Sequence, residues 1–184
     1  MFRKLHNAEL GRFGVEEFKK APKAPIVMVL DNVRSGHNVG SALRSGDAFC
    51  VEKVYLCGIC ATPPSPEVHK SAIGADMSVD WEHCASALEA VRRLKESGYI
   101  IAGVEQTEDS TKLQDFRPEA GRRYAFVFGN EVSGVAQEVI DECDLTLEIP
   151  QGGTKHSLNV SVSVGVVLWD AVCKMGCISG GLLK

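Results

Sequence analysis

Apolar residues fall in short unbroken runs, separated by polar loops and by segments with helical spacing. Residues 25–31 (PIVMVLD) form a continuous apolar run, as expected of a central strand buried on both faces of a parallel sheet. Comparable runs at 52–58, 77–81, 99–105, 124–128 and 145–149 predict five further strands. Between them, residues 39–49, 67–73, 84–97 and a short piece ending at Ile140 carry apolar residues at helical spacing, and Gly98 stands where a helix C-cap belongs. The loop 106–121 offers one short helical turn. Strands alternating with helices indicate an α/β domain with a mostly parallel sheet flanked by helices on both faces.

The stretch 149–169 (IPQGGTKHSLNVSVSVGVVLW) admits two periods. Leu158, Val160, Val162 and Val164 alternate with Asn159, Ser161 and Ser163, as in a half-buried strand. Leu158, Val162, Gly165, Val166, Trp169, Val172 and Cys173 instead mark one face of a helix, and the run is longer than ordinary strands. A buried helix is therefore expected, with that face toward the core and Ser157 at or near its N-cap.

Composition changes this picture little. A chain of 184 residues with 45% apolar and 24% charged residues is an ordinary soluble domain. The start, MFRKLHNAEL, has no signal-peptide character and no run reaches membrane-spanning length, so a cytoplasmic protein without membrane contact is expected. The seven Cys residues include a C-x-x-C pair, Cys57 and Cys60, but no second pair at zinc-site spacing. Reduced structural thiols and no metal are expected.

Charge adds one feature. The net charge of −4 argues against blanket binding to nucleic acid. Residues 1–24, however, hold six basic against three acidic residues. They read as a basic helical extension preceding a domain at 25–184. It either packs through Leu5, Leu10, Phe13 and Phe18 or contacts a polyanion.

Ligands of open α/β sheets sit beyond the C-terminal ends of strands. Three loops in such positions, 31–44, 128–134 and 149–159, are rich in Gly, Asn, Ser and charge. The loop at Gly129 to Gly134 lacks the Lys-Ser/Thr of a triphosphate-binding loop, and no G-x-G-x-x-G follows the first strand, which argues against nucleotide triphosphates and dinucleotides.

Together the three loops resemble the motifs of the SpoU/TrmH-type RNA 2′-O-ribose methyltransferases of the SPOUT superfamily. The first motif is similar to Asn38-Val39-Gly40-Ser41-Ala42-Leu43-Arg44. The second is similar to Phe128-Gly129-Asn130-Glu131-Val132-Ser133-Gly134. The third is similar to Ile149-Pro150 followed by Gly153 and by Ser157-Leu158-Asn159-Val160-Ser161. All three stand in family order across 31–165.

The resemblance implies a deep C-terminal trefoil knot around 149–159, a homodimer packed through that region, and S-adenosyl-L-methionine as cofactor. On this transfer Phe128, Gly129, Asn130, Ile149, Gln151, Ser157 and Leu158 surround the cofactor. Arg44, Ser157, Asn159 and Glu131 act at the reacting ribose, and Asn38, Arg44 and Lys155 meet the RNA, either tRNA or rRNA. Gln151 is a departure, because family members often carry Met there.

In the implied reaction a ribose 2′-hydroxyl attacks a sulfonium methyl group in line, so positioning supplies much of the rate. A guanidinium surrenders its proton reluctantly, and Arg44 is therefore read as an electrostatic and phosphate-orienting group rather than a base. Each residue also has a plainer reading. Arg44 serves as a surface ion-pair partner, Ser157 as a cap, Asn159 as a turn former and Glu131 as a helix cap, with His156 only a neighbour. Two rival functions remain: a cofactor-binding RNA-interaction protein without turnover, and a small-molecule α/β enzyme.

Overall fold

In the computed structural model, which describes residues 2–183, the first apolar run is strand β1 (Ala24–Asp31). Its side chains alternate between two cores. Ile26, Met28 and Leu30 join one apolar cluster, and Val27 and Val29 join another on the opposite face. Burial on both faces is why no polar residue interrupts the run. Strand β6 (Arg123–Phe128) repeats the arrangement, with Tyr124, Phe126 and Phe128 on the first face and Ala125 and Val127 on the second.

The remaining strands are β2 (Val51–Cys57), β3 (Trp81–Cys84), β4 (Tyr99–Val104), β5 (Thr111–Lys112) and β7 (Leu145–Glu148). Among the described residues the seven strands form one sheet in the order β3-β2-β1-β6-β4-β7-β5, and every pairing is parallel. Strand β5 lies beyond β7 from β4. The 105–122 connection therefore runs out past β7 and returns to β6 on the other flank of β4.

Helices α2 (Gly36–Ala48), α3 (Pro66–Ala72) and α7 (Val160–Lys174) contribute to the first core, and α5 (Ala87–Glu96) and α6 (Gln137–Ile140) to the second. Helix α5 starts at Ser86, whose hydroxyl accepts the Glu89 amide at 3.2 Å, a standard N-cap. Helices α1 (Val15–Lys20) and α4 (Ala75–Ser78) are short.

Four expectations need correction. The run at 77–81 is not a strand. Residues Ala75–Ser78 turn helically and the strand begins at Trp81, because the aligned edge of β2 pairs Val54 with Trp81. The loop 106–121 contains β5 as well as its short turn at Leu113–Asp115. In the N-terminal extension only Phe18 of the four named apolar residues is buried, while Leu5, Leu10 and Phe13 are exposed.

The last correction concerns α7. Its cap is Asn159, two residues past Ser157: the Asn159 side chain accepts the Ser161 amide at 2.9 Å. The core face is Val160, Val164, Val167, Leu168, Ala171 and Val172. The face expected to be buried is largely open, with Leu158, Val162, Val166 and Trp169 exposed and Cys173 exposed beside them. The helix is apolar on two sides; intrachain packing buries one, and on the other Trp169 meets the Phe49 ring at 6.1 Å between centroids while remaining exposed.

No helix among the described residues is long and apolar enough to cross a membrane. All seven Cys residues are free thiols. Cys60 donates to the Leu30 carbonyl at 3.3 Å and accepts the Val33 amide at 3.1 Å, and burial pushes its thiol up to about 11. Such thiols are poor nucleophiles at neutral pH.

Helices α2 and α3 approach at Gly40, where an added Cβ would lie 2.1 Å from the Ser71 hydroxyl oxygen, 2.4 Å from the Val68 carbonyl oxygen and 2.9 Å from the Ala72 nitrogen. Replacing a helical Gly by Ala ordinarily stabilises by up to about 1 kcal/mol. Here two of the three nearest obstacles are backbone atoms, and overpacking of this kind costs about 1–3 kcal/mol. Gly40→Ala is therefore expected to lower the denaturation midpoint in urea, and a gain in stability would refute the close approach.

Candidate functional site

Strands β1, β6, β4 and β7 are consecutive in the sheet, so the loops leaving their C-terminal ends meet at one edge. There the loops after β4, β6 and β7 enclose a cleft of ≈ 350 Å³, a size suited to a small organic ligand. Phe128, Leu147, Ile149, Leu158 and Val160 supply its apolar wall. Glu105, Glu131, Glu148, Ser157 and the 129–134 backbone supply polar groups.

The 129–134 loop is shaped by close backbone approach. A Cβ on Gly129 would lie 1.9 Å from the Gly134 carbonyl carbon and 2.1 Å from the Val135 nitrogen, so no other residue fits without moving the chain. Asn130 and Gly134 exchange backbone hydrogen bonds at 3.2 and 3.0 Å. The Asn130 side-chain oxygen accepts from the amides of Val132 and Ser133, at 3.1 and 3.0 Å, and fixes the turn between them. Gly134 closes it at φ 67°, a conformation that favours Gly.

Two carboxylates pin the exit of this loop from opposite flanks of β6. Glu105, just past β4, accepts the Val135 amide at 3.0 Å. Asp31, at the end of β1, accepts the next amide, that of Ala136, also at 3.0 Å.

Asn38 joins the three motif loops. Its side-chain amide donates to Glu131 in a short hydrogen bond, and its oxygen accepts from the Asn159 side-chain amide at 3.1 Å. Asn159 is held in turn, because its oxygen accepts from both the amide and the hydroxyl of Ser161, at 2.9 and 2.7 Å. Residues 93 and 121 positions from Asn38 in sequence thus share one polar chain.

Of the residues singled out in sequence, Phe128, Gly129, Asn130, Glu131, Ile149, Gln151, Ser157 and Leu158 all line the cleft. Asn38 and Asn159 adjoin it through Glu131. Lys155 is exposed on the adjoining loop and is not part of the lining.

Arg44 is not brought there. It follows Asn38 by six positions on α2, roughly 9 Å further along the axis, and borders a separate groove with Phe13, Phe49 and Trp169. It makes no hydrogen bond or ion pair among the described residues, so its plainer reading as an ion-pair partner is not met.

Sequence reasoning passed over Glu105, Gln106, Glu148 and Ser163, which also line the cleft. Gln106 donates to the His156 carbonyl at 2.7 Å and ties the 150–158 segment to β4. Glu148 sits beside Lys112, whose ammonium, with the Ser110 hydroxyl, holds its carboxyl below the usual range. The available signal was position: Glu105 and Gln106 directly follow a strand that ends beside the motif strands. Among the described residues no group of three or more His, Cys, Asp or Glu could hold a metal ion.

Comparison with known proteins agrees with this arrangement. The model of the SpoU rRNA Methylase family matches residues 25–169. The 23S rRNA (guanosine-2'-O-)-methyltransferase RlmB of Nitrosomonas europaea is 35% identical over 171 residues, covering 90% of this chain and 63% of that protein. The chain thus spans under two thirds of the length of this relative.

Among solved structures, a TrmH/SpoU tRNA modifying enzyme of A. aeolicus superposes with a TM-score of 0.77 at 23% identity, covering 91% of this chain and 84% of that one. The SpoU methyltransferase AviRb of Streptomyces viridochromogenes, solved with the cofactor AdoMet, superposes with a TM-score of 0.70 at 25% identity, covering 80% of this chain and 57% of that one. With a family match over most of its length, and with its second and third motif loops lining one cleft beside which Asn38 of the first is bonded to both, the chain belongs to the SpoU rRNA methylase family.

Proposed function

We propose that the protein methylates a ribose 2′-hydroxyl of structured RNA, tRNA or rRNA, using S-adenosyl-L-methionine in the cytoplasm. The observation that carries this reading is a cleft lined by the second and third motif loops, with Asn38 of the first bonded to both beside it. The naming of RlmB as a guanosine-2'-O-methyltransferase and the cofactor seen in AviRb support the reaction and the donor.

The cleft suits S-adenosylmethionine by its donor set. Its apolar wall fits a purine, and its backbone, hydroxyl and carboxylate groups fit a ribose and an amino-acid moiety. When bound, that cofactor supplies an activated methyl group. The protein's part is then to place the nucleophile. Glu131, Asn38, Asn159 and Ser157 present a fixed polar surface at the mouth of the cleft, where they orient a ribose. Fixing that geometry supplies rate without covalent chemistry.

Two architectural expectations belong to the same reading. Strand β7 lies between β4 and β5, so the 105–122 connection passes around the chain that leads into α7, and we read this as the trefoil knot. The open apolar face of α7, with residues 150–159 exposed beside it, is the surface we assign to a homodimer. Burial of such a face is worth about 25 cal/mol per Å², and its apolar character supports an interface over a solvated surface.

Arg44 stands beside Trp169 at the edge of that face. In the dimer its guanidinium therefore faces a partner's surface rather than its own cleft. There it orients RNA phosphate, and the hydroxyl proton leaves to phosphate or water. Lys19 and Lys20 of the N-terminal segment remain candidates for RNA contact. Lys23 does not, because its ammonium stacks over the Phe18 ring at 3.2 Å and bonds the Phe18 carbonyl.

Incubation with labelled S-adenosylmethionine and total tRNA or rRNA is expected to yield labelled 2′-O-methylnucleoside. Cofactor binding without any labelled nucleoside would leave the non-catalytic RNA-interaction reading, and indifference to RNA the small-molecule reading. Arg44→Lys is expected to lower activity at least tenfold at all pH values. Activity recovering steeply as the amine deprotonates would instead make residue 44 the base. Val166→Glu, on the open face of α7, is expected to convert a dimer to a monomer in sedimentation while the fold persists. A wild-type monomer at micromolar concentration would remove the dimer.

A further inference from the structure

Three glutamates line the cleft, and their surroundings differ. Glu148 is compensated by the Lys112 ammonium. Glu131 is exposed at the mouth and bonded to Asn38. Glu105 is half-buried, and its two oxygens accept only main-chain amides, that of Val135 at 3.0 Å and that of Gln106 at 2.8 Å. Among the described residues no Lys, Arg or His side chain pairs with it.

A partly desolvated carboxylate without a cationic partner is a costly arrangement. Both carboxylate oxygens serve the clamp, and a neutral carboxamide could accept only one of the two amides. The position is also crowded. The Glu105 oxygen lies 2.1 Å from where a Cβ on Gly134 would stand, so the carboxylate is wedged against the loop and keeps its place. Each oxygen retains a second lone pair, because a carboxylate offers about four acceptor sites and the amides take two. The uncompensated charge therefore sits fixed at the cleft, available to a ligand that brings the missing positive charge.

We propose that Glu105 is a cofactor-recognition residue that reads positive charge on S-adenosylmethionine. This rests on the methyltransferase reading above. The cofactor carries two such charges, a sulfonium at the methyl group and an α-ammonium at the amino-acid end. The shared chemistry is a cation against a fixed carboxylate, and the two sources separate with three ligands. S-adenosylmethionine has both charges, S-adenosylhomocysteine has the ammonium alone, and 5′-methylthioadenosine has neither.

The test is calorimetric titration of wild type and Glu105→Gln with all three ligands, beside Asp31→Asn as a reference. Asp31 clamps the adjacent amide from outside the cleft lining, so its substitution reports what a looser loop costs. A charge-assisted contact is worth about tenfold or more in affinity. Glu105→Gln is expected to weaken S-adenosylmethionine by that factor beyond any loss it causes for 5′-methylthioadenosine. Retained S-adenosylhomocysteine binding then assigns the sulfonium, and a parallel loss assigns the ammonium.

Equal losses for all three ligands, as expected of Asp31→Asn, would reduce Glu105 to a loop clamp and overturn the proposal. Unchanged affinity for all three would overturn it as well. Wild-type protein binding none of the three removes the methyltransferase reading itself, and this inference with it. Thermal denaturation of each variant confirms that the titrations are made on folded protein.

Discussion

The site depends on the amide of Asn38, because both of its ends are used. Its nitrogen donates to Glu131 and its oxygen accepts from Asn159, whose own oxygen is held by Ser161. The donors all point the same way, from the first turn of α7 through α2 to a carboxylate. Hydrogen bonds aligned in this sense polarise one another, and the negative end falls at the mouth of the cleft. The amide orientations of Asn38 and Asn159 are set by this chain and not by local backbone preference. The chain also couples three segments far apart in sequence, so the mouth of the cleft forms only when the sheet edge, α2 and α7 are all in place.

Steric exclusion does for the 129–134 loop what hydrogen bonding does for the mouth. The backbone folds onto Gly129 so closely that the turn has no room for a side chain, and Asp31 and Glu105 hold its exit from the neighbouring strands. Main-chain groups fixed in this way need no reorganisation when a ligand arrives. Carboxylates at strand ends are an economical means of doing this, since each adjacent strand delivers one acceptor to successive amides.

How much of this was legible in sequence differs by element. The central strands were plain because burial on both faces leaves an unbroken apolar run, and the cleft residues were plain because three motifs each sit at a strand end. The orientation of α7 was not. Its sequence is apolar on both sides, and periodicity cannot tell a face that meets the chain's own core from one that meets something else. Val160 and Leu168 turned out to be inside and Val162 and Trp169 outside. Ser157 and Asn159 are both good caps by residue type, and the choice fell to Asn159 because its amide is also required by Asn38. Arg44 was placed by motif alone, which says nothing about which face of α2 it occupies. Glu105 carried no motif, and its significance lies in the absence of a counter-charge, visible only in three dimensions.

The position of β7 between β4 and β5 also bears on how the chain assembles. Ribosomes deliver about 5–20 residues per second, so β1 to β6 emerge well before Leu145–Glu148 exists to fill its slot. Until then β4 presents an unpaired backbone edge, the kind of surface that recruits strands from other chains. On the knotted reading proposed above, the last segment also enters a space bounded by the 105–122 connection, a long-range event with a slow search. Newly made protein therefore passes through a period in which most of the sheet is built while both its edge and its ligand cleft are open. The interval ends when the C-terminal helix docks on α2.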